Sequence, residues 1–178
     1  VILSVGRLDR QKGYGFLVEA AKGIVAAHPE ALFVVVGEGP ARREIEDSIE
    51  KAGIGERFKL TGWRRDVGDF YGAADAFVLP SLWEGMPNAL LEALASGLPA
   101  VASDVEGSRE VVEDGETGIL VPPGDSKAIK EAVERLMDDA VLRGKLSLSG
   151  SAYVKEGHNL YHFVSQHEEI YRGFLAKR

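Results

Sequence analysis

The residues best equipped for chemistry sit in one stretch, Pro80-Ser81-Leu82-Trp83-Glu84-Gly85-Met86-Pro87-Asn88-Ala89-Leu90-Leu91-Glu92. Two carboxylates, Glu84 and Glu92, flank a loop of bare backbone that runs straight into an apolar helix. Ionised carboxylates accept hydrogen bonds from vicinal hydroxyls. The free amides of a helix start attract phosphate or sugar oxygens. Glu84 falls in the loop. Glu92 follows Asn88 by one helical turn, so both lie on the polar strip beside Leu90, Leu91, Ala93 and Leu94. Paired carboxylates also perform glycoside hydrolysis, but Glu92 lies within the helix and has no evident acid/base partner. The plainer reading of Glu92 is an exposed helix glutamate.

A second group is Val5-Gly6-Arg7-Leu8-Asp9-Arg10-Gln11-Lys12-Gly13. Arg7 offers a planar fork and Lys12 a point charge, a combination suited to a diphosphate. Gly6 and Gly13 let backbone approach a ligand, and a helix opening at Gly13 adds positive backbone potential. The alternative is a solvated turn with surface cations. In Val36-Gly37-Glu38-Gly39-Pro40 the glycine pair lacks the third glycine of a dinucleotide fingerprint. A tight strand-to-helix turn is its expected role, with Gly37 beside the Arg7 loop. In Thr61-Gly62-Trp63-Arg64-Arg65-Asp66, Trp63 or Arg64 is placed to stack on a planar base. Alternatively these residues cap the next helix, with Asp66 as N-cap. His158 and His162 have the i, i+4 spacing a metal accepts, but no third ligand accompanies them. His28 and His167 are scattered, and no Asp-x-Asp pair occurs.

Positioning these groups requires regular elements. Nearly continuous apolar runs at Ile2–Val5, Leu32–Val36, Phe58–Leu60, Ala76–Leu79, Ala100–Ala102 and Ile119–Val121 predict strands covered on both faces. Helical patterns occupy 14–27, 40–52, 66–73, 87–96, 107–113, 125–138, 140–154 and 159–176. Pro40, Pro87 and Pro122-Pro123 fall at turns or first helical positions, and Asp125 is placed as an N-cap. The alternation predicts an α/β domain whose parallel sheet carries helices on both faces. Phe163, Ile170, Tyr171 and Phe174 share one face of the last helix. Packing of that face on its own domain is the favoured expectation, and packing on a domain outside this chain is the other.

The 178 residues are 45% hydrophobic and 28% charged, proportions of a soluble globular domain of one large unit. A net charge of -7 and the lack of a dense basic stripe exclude general nucleic-acid binding and make any phosphate recognition local. There is no cysteine, hence no disulfide framework, which favours a cytosolic setting. No apolar run reaches membrane-spanning length. The chain opens on a buried-strand pattern, Val1-Ile2-Leu3-Ser4-Val5-Gly6, without Met or lead-in, and reads as a piece of a longer protein.

Taken together, GRLDRQKG (6–13), VVVGEGP (34–40), the run 72–125 and the terminal helix resemble the C-terminal domain of retaining GT-B glycosyltransferases, group 1 or family 4. The resemblance covers essentially the whole chain. Its most specific element is the Glu-x7-Glu pair followed by Gly97-Leu98-Pro99-Ala100-Val101-Ala102-Ser103. It implies a Rossmann-like doubly wound parallel sheet of about six strands. It also implies a nucleotide-sugar partner, UDP- or GDP-linked, with no cofactor and no obligatory metal. By that resemblance Arg7 and Lys12 bind the diphosphate, together with backbone at Ala89 and Leu90. Glu84 and backbone at Gly85, Met86, Pro87 and Asn88 meet the sugar. Glu92 holds the ribose, and Gly37, Trp63 and Arg64 border the base. Arg7, Lys12 and Glu84 would carry catalysis. The acceptor-binding N-terminal domain is expected to be absent, leaving the piece to bind donor or nucleotide weakly and to transfer little or nothing. The full-length protein is expected in the cytoplasm, with peripheral attachment to the inner membrane face only through the missing domain. A non-catalytic nucleotide-sugar-binding module and a sugar-nucleotide epimerase half are the alternatives; the Glu-x7-Glu pair argues against the latter.

Overall fold

The computed structural model describes residues 1–157 and 160–175, without the side chains of 160–163 and 166 in the second segment. The spacing of His158 with His162, and the Phe163 side chain, therefore fall outside the described residues. Short runs that are apolar at every position can be buried only if both faces of the strand are covered. Six such strands form: β1 (Ile2–Val5), β2 (Phe33–Val36), β3 (Phe58–Gly62), β4 (Ala76–Leu79), β5 (Ala100–Ser103) and β6 (Ile119–Val121). All pair in parallel, in the order β3-β2-β1-β4-β5-β6. Between and after them lie α1 (Tyr14–Ala27), α2 (Arg42–Ala52), α3 (Val67–Ala73), α4 (Asn88–Ala95), α5 (Glu106–Arg109), α6 (Ser126–Asp138), α7 (Ala140–Gly157) and α8 (Leu160–Leu175).

The period of two in each strand sorts side chains into two cores. Ile2, Phe33, Val35, Phe58, Val78, Val101 and Val121 meet Leu17 and Ile24 of α1, Ile45 and Ile49 of α2, and Ile129 and Val133 of α6. Leu3, Val36, Phe77, Leu79, Ala100 and Ala102 meet Tyr71 of α3, Leu90 and Leu94 of α4, and Val111 and Val112 after α5. Helix α7 reaches both, with Leu146 in the first core and Val154 in the second. Phe33 and Phe58 stack with centroids 5.6 Å apart across neighbouring strands. This is the doubly wound arrangement expected from the alternating pattern.

Several boundaries differ for local reasons. β3 extends two residues past Leu60, because Val36 pairs with Gly62 after a register shift at Val35. The helix expected over 107–113 ends at Arg109. Beyond it Val111 and Val112 turn into the core, and the Glu113 amide is taken by Thr117 Oγ1 at 2.8 Å. Asp125 does cap α6, accepting from the Ala128 amide at 2.9 Å. Asp66 does not cap α3, for its carboxylate is engaged elsewhere. The favoured packing of the last helix on its own domain is also overturned: Ile170, Tyr171 and Phe174 are 55%, 65% and 70% exposed. Both faces of the sheet already have their helices, so α8 has no core left to join. Among the described residues, no helix is long and apolar enough to cross a membrane.

Phe33 is fully buried and stacked, so Phe33→Ala should cost about 3–5 kcal/mol, read as a lower midpoint in urea denaturation with the m-value unchanged.

Candidate functional site

In an open parallel sheet a crevice forms where neighbouring strands send their connections to opposite faces. Here that point is β1 beside β4, paired at Ile2 with Ala76 and Leu3 with Phe77. β1 leads to α1 on one face, and β4 leads to α4 on the other. The residues chosen from sequence gather at the carboxyl ends of these strands and of β2 and β3.

The loop after β1 makes a 3-10 turn, Arg10–Lys12, capped by the Asp9 side chain on the Lys12 amide. This loop is fastened to the loop after β4. The Leu82 amide donates to the Gln11 carbonyl at 2.7 Å, and Gln11 Nε2 donates to the Trp83 carbonyl at 2.8 Å. Gly13 packs so tightly under Pro80 that a Cβ there would lie 2.1 Å from the Pro80 carbonyl oxygen. Across this junction Lys12 Nζ donates to Glu84 Oε1 at 2.5 Å, and Ser81 Oγ donates to the same oxygen at 2.6 Å. The two charged side chains are only 17% and 6% exposed. Lys12 is thus not a free cation but the partner of the carboxylate assigned to the sugar. Glu84 Oε2 makes no hydrogen bond among the described residues. Beneath, the Tyr14 hydroxyl is buried, 3.0 Å from where a Gly6 Cβ would stand. Burial pushes its pKa far above the usual phenol value; the Ser4 hydroxyl offsets part of that rise, and the negative Asp9 and Glu84 add to it.

A cavity of about 300 Å³ opens beside this junction, lined by Gly6, Arg7, Gly37, Trp63, Arg64 and Val67 among others. The Arg7 side chain is 71% exposed, and its Nε lies 3.6 Å from Asp9 Oδ2. Gly37 must be glycine: at φ 150° its Cβ would fall 1.9 Å from the Gly6 carbonyl oxygen. Trp63 is 67% exposed, with the Arg65 guanidinium 5.6 Å from its ring. Arg64 lies over Phe70 and grips both oxygens of Asp66, at 2.8 and 2.5 Å. That fork takes the carboxylate expected to cap α3, lowering the Asp66 pKa and raising that of Arg64.

At the start of α4 the expected row of free amides is narrower than the sequence suggests. The Asn88 amide donates to the Met86 carbonyl, and those of Leu90 and Leu91 donate to Pro87. The Leu90 amide is thus already taken, and of the two amides expected at the phosphates only that of Ala89 has no carbonyl partner among the described residues. Pro87 has no N–H and is buried, leaving Gly85 and Met86 as the amides that can face a sugar. Glu92 is exposed on the same strip as Asn88 and is held by the Tyr71 hydroxyl at 2.9 Å to Oε2. Tyr71 is itself buried, and burial first, then the Glu92 charge and bond, raise its pKa far beyond the ordinary range. Among the described residues no three His, Cys, Asp or Glu side chains gather as a metal site.

Three contributors were not singled out from the sequence. Ser81 stands three residues before Glu84 in the same loop, a spacing that permits a local hydroxyl–carboxylate bond. Gly107 presses on the site loop: a Cβ there would lie 1.8 Å from the Gly85 carbonyl oxygen and 2.9 Å from that of Glu84. Its signal is a glycine in the first turn of the helix that follows β5. Tyr71 meets Glu92 only through the packing of α3 on α4, and nothing local foretells it.

The sheet order and the polar groups at its switch point define a Rossmann-like α/β domain with a ligand crevice at the carboxyl ends of its strands. The chain belongs to the glycosyl transferases group 1 family, whose model matches residues 1–152. It is 35% identical over 181 residues to the UDP-Gal:alpha-D-GlcNAc-diphosphoundecaprenol alpha-1,3-galactosyltransferase of Escherichia coli, a match spanning 100% of this chain and 46% of that protein. Sucrose-phosphate synthase from Thermosynechococcus elongatus superposes with a TM-score of 0.89 at 32% identity, over 99% of this chain and 46% of that one. The C-terminal domain of a glycosyl transferase group 1 family protein, LpcC, from Francisella tularensis gives 0.82 at 27% identity, over 89% and 86%. The chain spans about half the length of the curated relatives it matches.

Gly107→Ala should keep the sheet but displace the site loop, seen as amide NMR shifts concentrated at 83–86. A pH titration followed at 295 nm should leave Tyr14 and Tyr71 un-ionised near pH 10, where ordinary phenols titrate. Both pKa values are raised in the fold. The stability they contribute is therefore full below pH about 10 and is lost as pH rises further.

Proposed function

We propose that this chain is the donor-binding half of a retaining glycosyltransferase that moves a hexosyl unit from UDP- or GDP-sugar to a glycan, lipid or small-molecule acceptor. The observation that carries this reading is the convergence of Arg7, the Lys12–Glu84 pair and the α4 start on the β1/β4 crevice, with Glu92 one helical turn along α4 from Asn88. Family membership supports it, as does the name of the E. coli relative, which specifies UDP-Gal.

In this reading the base lies in the cavity bordered by Gly37, Trp63 and Arg64, and Glu92 accepts from the ribose hydroxyls. Arg7 meets the diphosphate, whose negative charge also draws Lys12, while the Ala89 amide adds a donor at the helix start. Glu84, through Oε2, and the Gly85 and Met86 amides meet the sugar. In transfer, the bond from the anomeric carbon to the diphosphate oxygen breaks and its electron pair leaves with the nucleoside diphosphate. The acceptor oxygen bonds the same face of that carbon, and its proton passes to the departing phosphate. Arg7 and Lys12 stabilise the charge that grows on the leaving group, so the protein's own cations supply the electrostatic catalysis. Transfer is assigned to the whole protein, with acceptor and remaining groups supplied by a partner N-terminal domain.

Titration calorimetry of this chain with UDP and GDP tests the proposal. One of the two should bind, and Arg7→Ala should weaken it about tenfold or more, as expected for loss of a charge-assisted hydrogen bond of about 1.5–3 kcal/mol. Glu92→Ala should weaken it similarly. Failure of the unmutated chain to bind either nucleotide would sink the donor-site reading.

A further inference from the structure

Glu92 is exposed, and an exposed glutamate turns freely about three side-chain bonds. Its grip on a ligand depends on what orients it. The Tyr71 hydroxyl lies 2.9 Å from Glu92 Oε2 and 3.2 Å from the Ala89 carbonyl oxygen. A phenol has one proton, and an ionised carboxylate is the stronger acceptor. The proton is therefore directed to Glu92. The ring behind it does not move: Tyr71 is 4% exposed and packs on Phe77 with centroids 6.1 Å apart. Tyr71 also follows Val67 by one turn of α3, and Val67 lines the cavity beside Arg7 and Trp63. One helix face thus supplies both a residue of the cavity wall and the phenol that holds the Glu92 carboxylate.

We infer that Tyr71 is a positioning residue for nucleotide recognition, locking Glu92 Oε2 so that Oε1 is presented to the ribose hydroxyls. This rests on the donor-site reading above. The buried phenol has two effects that an aliphatic core residue would lack. It fixes which carboxylate oxygen is free, and it restrains the side-chain rotation of Glu92 through a hydrogen bond from a buried ring. It does so without carrying charge, because the hydroxyl stays protonated where it lies.

The test compares Tyr71→Phe with the unmutated chain, using whichever of UDP and GDP binds, and the 2′,3′-dideoxy form of the same nucleotide. Phenylalanine keeps the ring and deletes the proton. The expected result is a three- to tenfold loss of affinity for the ordinary nucleotide, with affinity for the dideoxy form unchanged. In the Glu92→Ala background, Tyr71→Phe should make no further difference. Equal binding by Tyr71→Phe and the unmutated chain overturns the inference alone. Equal losses for both nucleotides overturn it in favour of simple core packing. No binding by the unmutated chain removes the donor-site reading, and this inference with it. An independent readout covers a Tyr71→Phe variant that fails to fold. Glu92→Ala should shift the Tyr71 Cζ resonance in 13C-tyrosine NMR at neutral pH, and an unmoved resonance would show that the hydroxyl does not bond Glu92 and overturn the inference.

Discussion

Everything at this site depends on one constraint of sheet geometry. β1 and β4 are hydrogen-bonded neighbours, yet each must feed a helix on the opposite face. Their connections therefore part, and parallel strands offer no hairpin to rejoin them. The gap that results is where a ligand can reach main chain and loop side chains together. Contacts between the two loops span it. Here the span is built from backbone and side chain: Leu82 to Gln11, Gln11 to Trp83, Gly13 under Pro80, and Lys12 to Glu84.

The Lys12–Glu84 pair is the costly member of that span. Removing one partner of a well-buried pair typically costs about 3–5 kcal/mol, because the other charge is stranded. Ser81 lessens the burden by donating to the same carboxylate oxygen. The pair is internally neutral: the cation and the anion that a donor's diphosphate and sugar would engage in the proposed reading satisfy one another. Arg7 is left as the exposed cation at the cavity mouth, with only a loose contact to Asp9. In the donor-site reading a negatively charged ligand meets Arg7 and competes with Glu84 for Lys12.

Much of this was legible from local pattern. The strands read correctly because burial on both faces demands apolar residues at successive positions, and the Asp125 cap because capping is local chemistry. The cluster around Arg7, Gly37, Trp63 and Arg64 was foreseeable because all four follow strands of one parallel sheet. What escaped is what depends on competition between partners. Asp66 had a choice between a helix amide and the Arg64 fork, and the bidentate fork won. The Leu90 amide had a choice between a ligand and the Pro87 carbonyl. The apolar face of α8 had no space on a sheet already covered on both sides.

The sequence by itself determined the α/β class, the strand-end placement of the charged residues and the identity of the two carboxylates, because each follows from periodicity or from short-range turn chemistry. Only the tertiary structure decided which groups are partners. Lys12 and Glu84 are 72 positions apart, and Tyr71 and Glu92 are 21 apart. Their meetings are set by strand order and by helix packing on one face of the sheet, neither of which is written in any local window. The charged residues at the strand ends could thus be named in advance, but not the residues that hold them in place.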